Sequence, residues 1–125
     1  MPETKKDWRS TRLRKHADYQ RVYRESRRHS SASMTWFVRT RPGSEPGGET
    51  PRIGLTTGRV LGGAVVRNRI RRRMREAVRM HASELPERVD VVLHPRKQVL
   101  EMEFVRLEQE VARIFAAVPA QGAAR

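Results

Sequence analysis

The chain has 125 residues, of which 27 are Lys or Arg and 14 are Asp or Glu, so that its formal net charge is +13. This length is typical of one domain, and the absence of cysteine excludes disulfide scaffolds and cysteine-based zinc sites. The apolar content of 37% excludes a wholly disordered chain, and no apolar run is long enough to span a membrane. A balance this basic predicts a polyanionic partner, nucleic acid first and an acidic membrane surface second. We therefore expect a soluble, intracellular nucleic-acid-binding domain.

Composition divides the chain into an arm, one domain and a tail. Residues 1–14 are polar and basic without an apolar period, and this composition predicts a flexible arm. Residues 119–125 are rich in Ala and Gly, and we expect them to be frayed. The periodic apolar patterns lie between these segments, so the sequence predicts a single domain over residues 15–118.

The first half of the domain contains short apolar elements separated by breaks. A helical spacing begins after Asp18. The β-branched and aromatic run at 34–40 predicts a strand, and the apolar–polar alternation at 52–57 predicts a second. Between them, the Pro- and Gly-dense segment 41–51 predicts a mobile loop that joins the two strands. The side chains at helical spacing are Tyr19, Val22, Tyr23 and Ser26.

The strongest helical pattern covers residues 64–83. Its apolar side chains fall within one arc of the helix, and most of the remaining surface is arginine. Beyond Pro86, residues 89–93 predict a short strand, and an apolar stripe over 100–118 predicts the last helix. The chain runs helix, one or more strands, a strand, helix, strand and helix. We expect the order α-β-β-β-α-β-α, an α+β fold with helices packed on a small sheet of about four strands.

The central helix carries the clearest functional signal. Six arginines lie within residues 67–75, and Glu76 is the acid nearest to them. Such a run repels itself along a helix unless a polyanion neutralises it. A solvated charged face is the alternative, but such faces usually mix both signs, so nucleic-acid contact is favoured. Asn68 adds an amide that can bond a sugar or phosphate, or can cap the helix.

Aromatic and basic side chains are interleaved near the start of the domain. Tyr19 and Tyr23 share a helix face. Trp36 and Phe37 follow on a strand, where alternation lets only one of them face the same side. Unpaired bases stack on such rings while nearby cations bind the phosphates, although packing of any single ring in the core is as plausible. The nearby cations include Arg12, Arg14 and Lys15.

The sequence shows no recognisable protein active site. Its histidines and aspartates are scattered without the spacing of metal ligands or of a catalytic pair. His81 lies on an apolar stripe, where a core histidine is the usual interpretation. The glycines between 54 and 63 resemble a phosphate-binding loop only loosely, since neither Lys-Ser nor Lys-Thr follows them. We expect no catalytic side chain and no tightly bound metal.

The central stretch resembles the protein subunit of bacterial ribonuclease P. Arg52-Ile53-Gly54-Leu55 is similar to that family's R-x-G-L strand, and Ala64-Val65-Val66-Arg67-Asn68-Arg69-Ile70-Arg71-Arg72 is similar to its A-V-x-R-N-R-x-[KR]-R helix. Residues 13–23 resemble its first helix, with tyrosines where phenylalanines are common, and residues 90–97 resemble its late strand. The resemblance covers about residues 10–118.

This resemblance implies a ribonucleoprotein enzyme, in which a large RNA performs the Mg²⁺-dependent hydrolysis that removes the 5′ leader of precursor tRNA. The family's protein holds the single-stranded leader in a cleft between its first helix and the sheet, and it docks on the catalytic RNA through the R-N-R helix. A left-handed strand–helix–strand crossover is also implied, against the general right-handed rule. The expected partners are the catalytic RNA and precursor tRNA in the cytoplasm, with the Mg²⁺ bound by RNA, no membrane and no obligate protein partner.

The resemblance carries over to two sets of residues. The leader set is Tyr19, Tyr23, Trp36, Phe37, Arg12, Arg14 and Lys15. The catalytic-RNA set is Arg59, Arg67, Asn68, Arg69, Arg71, Arg72 and Arg75. Two other classes remain as alternatives. A ribosomal or other structural RNA-binding protein would use the same helix on a static RNA, and a DNA-binding module is disfavoured because no paired recognition helix is visible.

Overall fold

A four-stranded sheet with helices on both faces forms the domain. The computed structural model describes residues 12–119. The order α-β-β-β-α-β-α within them confirms the predicted α+β class and succession of elements. The strands are β1 (Arg28–Ser30), β2 (Met34–Thr40), β3 (Arg52–Leu55) and β4 (Val89–Pro95). The helices are α1 (His16–Glu25), α2 (Ala64–His81) and α3 (Phe104–Ala116), with short 3-10 turns at Arg59–Leu61, Ala82–Glu84 and Lys97–Leu100.

The sheet has the strand order β1-β2-β4-β3. β2 pairs antiparallel with both β1 and β4, whereas β3 lies parallel to β4. Parallel neighbours need a crossover connection, and α2 provides it between β3 and β4. The left-handed sense of this crossover stays a prediction from the resemblance.

The boundaries differ from the predicted ones where local sequence carries little pattern. β1 has no apolar alternation and all three of its residues are exposed, so its position was not predictable from periodicity. β3 ends at Leu55, two residues before the predicted end. The last helix starts at Phe104, because a separate 3-10 turn occupies Lys97–Leu100.

The two faces of the sheet bury different apolar clusters. On one face, inward side chains of the strands pack with α2 and α3 into the main core, which includes Ile53, Met74 and Phe115. On the other face, a smaller cluster of Leu13, Val22 and Val92 lies under α1. None of the helices within residues 12–119 is long and apolar enough to cross a membrane.

The predicted arm is shorter than residues 1–14. Arg12 bridges Ile53 at the edge of β3, and the Leu13 N–H donates to the Ile53 carbonyl over 2.9 Å. Leu13 is also buried, with 2% of its surface exposed, so that these residues belong to the domain. Burial of the apolar Leu13 side chain holds this segment against the sheet, although the residues around it are polar. The rest of the predicted arm, residues 1–11, and the tail beyond residue 119 lie outside the described residues.

A buried carboxylate on β4 ties several elements together. Asp90 has no exposed surface and accepts a 2.6 Å hydrogen bond from Arg41, whose side chain is also fully buried. Arg52 on β3 donates to both Asp90 oxygens over 2.9 Å and reaches Asp18 of α1 over 3.3 Å. Because buried charges are tolerated only when paired, these contacts constrain β3, β4 and α1 relative to one another.

Two arginines hold the Pro- and Gly-rich loop between β2 and β3. Arg41 donates to the carbonyls of Gly48 and Thr50. Arg88, at φ 65°, donates to the carbonyls of Pro42 and Glu45. The predicted loop is therefore present, but guanidinium donors satisfy its backbone carbonyls and give it a defined path instead of the mobile one expected.

Replacing the buried carboxylate should weaken the whole domain. In Asp90→Asn, Arg41 keeps its charge without a counter-charge, and we expect the free energy of unfolding to fall by about 3–5 kcal/mol. Urea denaturation followed by circular dichroism measures this change. Glu76→Gln is the control, because Glu76 pairs with Arg79 on the exposed face of α2 and its loss should leave the transition unmoved. Equal midpoints for Asp90→Asn and the wild type would contradict the assigned role.

Candidate nucleic-acid interface

Four rings meet on the face of the sheet that α1 covers, and we call them the aromatic cluster: Tyr19, Tyr23, Phe37 and His94. Tyr23 lies edge-on to Phe37, with 5.0 Å between ring centroids, and 6.4 Å from Tyr19. His94 of β4 contacts both Tyr23 and Phe37, at 5.7 and 5.5 Å. All four rings are half-buried, so the cluster is both a packed wall and an accessible surface.

Strand alternation separates the two aromatic residues of β2. Phe37 packs with Tyr19 and Tyr23 on the α1 face, whereas Trp36 packs against the main core on the opposite face. There the Trp36 ring is stacked on His29 at 5.6 Å and 14°. The structure therefore brings Phe37, and not Trp36, to the other aromatic members of the leader set.

His94 belongs to this surface although it was not in the predicted leader set. Its Nε2 lies 2.9 Å from the Tyr23 hydroxyl. Burial, and then the charge of Arg28, lowers the pKa of His94 below its ordinary 6.5, so the imidazole is neutral at pH 7. Period-two alternation from the buried Val92 could have placed His94 on this face, but not beside Tyr23, since the position of α1 sets that contact.

The Tyr19 ring occupies the space beside Gly54, the glycine of the R-x-G-L strand. A Cβ at this position would lie 2.7 Å from the Tyr19 hydroxyl oxygen and 2.8 Å from two ring carbons. The ring thus rests directly on the β3 backbone, as glycines inside strands often allow. The Tyr19 hydroxyl also donates to the Leu13 carbonyl over 3.3 Å, and burial raises the pKa of this phenol.

The catalytic-RNA set lies along α2 and the turn before it. Arg59, Asn68, Arg69, Arg72 and Arg75 are exposed, while Arg67 and Arg71 are partly buried. Val60, beside Arg59, has 93% of its surface exposed. The opposite side of the helix buries four side chains in the main core: Ile70, Met74, Ala77 and Val78. α2 therefore presents guanidinium groups outward over its first three turns.

Two arginines of α2 are held in fixed orientations. Arg71 donates to Asn68 Oδ1 and to Thr57 Oγ1, each over 2.6 Å, so Asn68 orients a neighbouring guanidinium rather than capping the helix. Arg73 turns the other way and donates to the carbonyls of Val99 and Met102. The Arg73 guanidinium thus stabilises the fold by bonding the backbone of a neighbouring segment. The sequence alone does not distinguish Arg73 from the other arginines of the run.

A pocket of about 340 Å³ joins the two predicted sets. From the leader set it is lined by Arg12, Arg14 and Tyr19, and from the catalytic-RNA set by Arg71 and Arg75. Leu13 and Leu55 complete its wall. Lys15 lies nearby as an exposed residue at the start of α1. Two surfaces that are far apart in sequence therefore form one continuous basic region around the edge of β3.

Comparison with known proteins shows which family this chain is part of. Residues 8–118 match the family model described as Ribonuclease P. The chain belongs to the ribonuclease P protein family. The ribonuclease P protein component of Brucella melitensis is 39% identical over 110 residues, covering 85% of this chain and 78% of that protein. The ribonuclease P protein component of Chloroflexus aggregans is 41% identical over 108 residues, covering 86% and 76%.

Solved structures show the same fold. The ribonuclease P protein of Thermotoga maritima aligns with a TM-score of 0.73 at 22% identity, over 87% of this chain and 98% of that one. That of Staphylococcus aureus aligns at 0.70 and 24%, over 86% and 96%. Family membership gives the chain a role in tRNA processing within the ribonuclease P ribonucleoprotein, and a general structural RNA-binding role is not favoured. Within residues 12–119, no His, Cys, Asp and Glu side chains are grouped so that they could hold a metal ion.

The contact between Gly54 and Tyr19 gives a test of this surface. Gly54→Ala must displace the Tyr19 ring, and we expect the free energy of unfolding to fall by about 1–3 kcal/mol. In a Tyr19→Ala background the added methyl has room, so the cost of Gly54→Ala should largely disappear in a double-mutant cycle of denaturation midpoints. Gly58→Ala is the control, because nothing lies within 4 Å of its would-be Cβ. An equal cost in both backgrounds would refute the contact.

Proposed function

We propose that this chain is the subunit that holds the single-stranded 5′ leader of precursor tRNA on the aromatic cluster and docks on the catalytic RNA through α2. The observation that carries the proposal is the pocket in which Arg12, Arg14 and Tyr19 meet Arg71 and Arg75. A leader strand and the RNA that cleaves it must lie side by side near the cleavage point. A protein whose two RNA-binding surfaces share an edge can hold both at once.

The aromatic cluster suits a single strand because every base has a π-face that can stack on a ring. Such stacking contributes about 1–3 kcal/mol per base. Arg28, which pairs with Phe37 across β1 and β2, adds a cation on the same face. The cations around the pocket supply phosphate contacts, so the surface combines stacking with charge, as single-strand binding requires.

The outward arginines of α2 suit a folded RNA with closely spaced phosphates. Their planar forks pair with phosphate oxygens in a bidentate manner. Asn68 and Thr57 hold the Arg71 fork in advance, so less conformational entropy is lost on binding. In this proposal the RNA partner supplies the catalytic groups and binds the Mg²⁺ of the endonucleolytic hydrolysis, in the cytoplasm. The protein contributes cations and stacking surfaces and no catalytic side chain.

Neighbouring residues of β2 provide a matched pair of variants for the leader surface. Phe37→Ala should weaken binding of precursor tRNA to the reconstituted holoenzyme by about 5- to 100-fold while leaving binding of mature tRNA unchanged, because one stacking surface is lost. Trp36→Ala removes a larger ring from the opposite face and should leave the ratio of the two affinities unchanged. Affinities at low Mg²⁺ measure both effects. Equal losses for precursor and mature tRNA with Phe37→Ala would assign the ring to the core alone.

A second pair of variants tests the docking surface. Neutralising both Arg69 and Arg72 should lower the slope of log affinity for the catalytic RNA against log salt concentration by about 1.4–1.8, since each phosphate contact contributes about 0.7–0.9. Arg79→Ala, on the same helix but paired with Glu76, is the control and should leave the slope unchanged. Filter binding across a salt series gives the slopes. An unchanged slope in the double variant would indicate a solvated face.

A further inference from the structure

His94 differs from the other rings of the aromatic cluster in carrying two ring nitrogens, of which Nε2 contacts the Tyr23 hydroxyl. It sits on β4 between Tyr23 and Phe37, and both ring contacts are tilted or edge-on, with interplanar angles of 67° and 62°. Phe37 has no polar atom on its ring, and the Tyr19 hydroxyl already donates to the Leu13 carbonyl. The polar chemistry of this surface is therefore concentrated at His94 and its partner.

The Tyr23 hydroxyl fixes the orientation of the imidazole. Its oxygen lies 2.9 Å from His94 Nε2. A phenol is a stronger acid than a neutral imidazole N–H, and an imidazole nitrogen is a stronger base than a phenol oxygen. Tyr23 is therefore the donor in this pair, and the proton of the neutral ring resides on Nδ1. Within residues 12–119, the Nε2 contact with Tyr23 is the one hydrogen bond of this ring, and Nδ1 is not among the buried polar atoms that lack a partner. Its N–H is therefore available to a ligand.

We propose that His94 is a specificity-determining residue, whose Nδ1–H donates a hydrogen bond to an acceptor atom on the edge of one leader nucleobase while Tyr23 acts as its positioning residue. This inference rests on the proposed function, since it requires a leader strand on the aromatic cluster. Stacking on the rings is tolerant of sequence, because all bases stack. A single directed donor is not tolerant, because bases differ in where they carry acceptor atoms. His94 thus adds a base preference to a surface that otherwise binds any single strand.

The experiment measures affinity of the reconstituted holoenzyme for precursor tRNAs whose leader nucleotides are changed one at a time through all four bases. His94→Phe keeps an aromatic ring of similar width and removes both nitrogens. Tyr23→Phe keeps its ring and removes the hydroxyl that orients His94. His29→Phe is the matched control, since His29 is stacked on Trp36 on the opposite face of the sheet. Melting temperatures of all variants identify any that fail to fold.

We expect the wild type to discriminate among bases at one leader position by about 3- to 10-fold, the effect of one hydrogen bond. His94→Phe and Tyr23→Phe should abolish this preference while both still bind precursor more tightly than mature tRNA, and His29→Phe should retain it. An abasic nucleotide at that position should make the wild type and His94→Phe equal.

The inference is overturned if the wild type shows no preference at any leader position, if His94→Phe retains the preference, or if His94→Phe weakens all leaders equally. Failure of the proposed function looks different. In that case the wild type itself binds precursor and mature tRNA with equal affinity, whatever the leader sequence.

Discussion

The structure depends on one buried carboxylate. Asp90 has no exposed surface and pairs with Arg41 and Arg52. Arg52 extends the same network to Asp18 of α1. A charge in this environment is tolerated only while its partners are in place, so the pairs act together to set where α1 lies over the sheet. The position of α1 in turn determines how far Tyr19 and Tyr23 stand from Phe37 and His94.

The arginines of the chain fall into two groups, and this network holds one of them. Arg39, Arg41, Arg52 and Arg88 are engaged by carboxylates and carbonyls at one end of the sheet. The arginines of the catalytic-RNA set lie on α2 and on the turn before it. The two groups have opposite requirements. The arginines of the network are removed from water by burial, whereas those of the catalytic-RNA set have to stay accessible.

Much of the fold was predictable from local patterns. The strand at Met34–Thr40 has the predicted bounds, and α2 begins at the predicted Ala64 and ends at His81. Strand alternation also predicts that the side chains of Trp36 and Phe37 point to opposite faces of the sheet. Only the packing of α1 decides which of the two rings contacts the tyrosines. Burial of three arginines, Arg39, Arg41 and Arg88, was beyond prediction because arginine is almost never buried without a tertiary partner. His94 was missed for a similar reason, since its role comes from a contact with Tyr23 that is 71 residues away in sequence.

The inward-turned guanidinium of Arg73 has a consequence for how α2 is aimed. A helix whose outer surface is nearly uniform in charge gains little selectivity from its sequence, because rotation about its axis would exchange one arginine for another. The bonds from Arg73 to the carbonyls of Val99 and Met102 form at one rotational position of α2 about its axis. A turn of one residue, about 100°, would leave those carbonyls without a donor. The rotational position of the outward arginines of α2 is thus set by Arg73, whose guanidinium turns toward Val99 and Met102 instead.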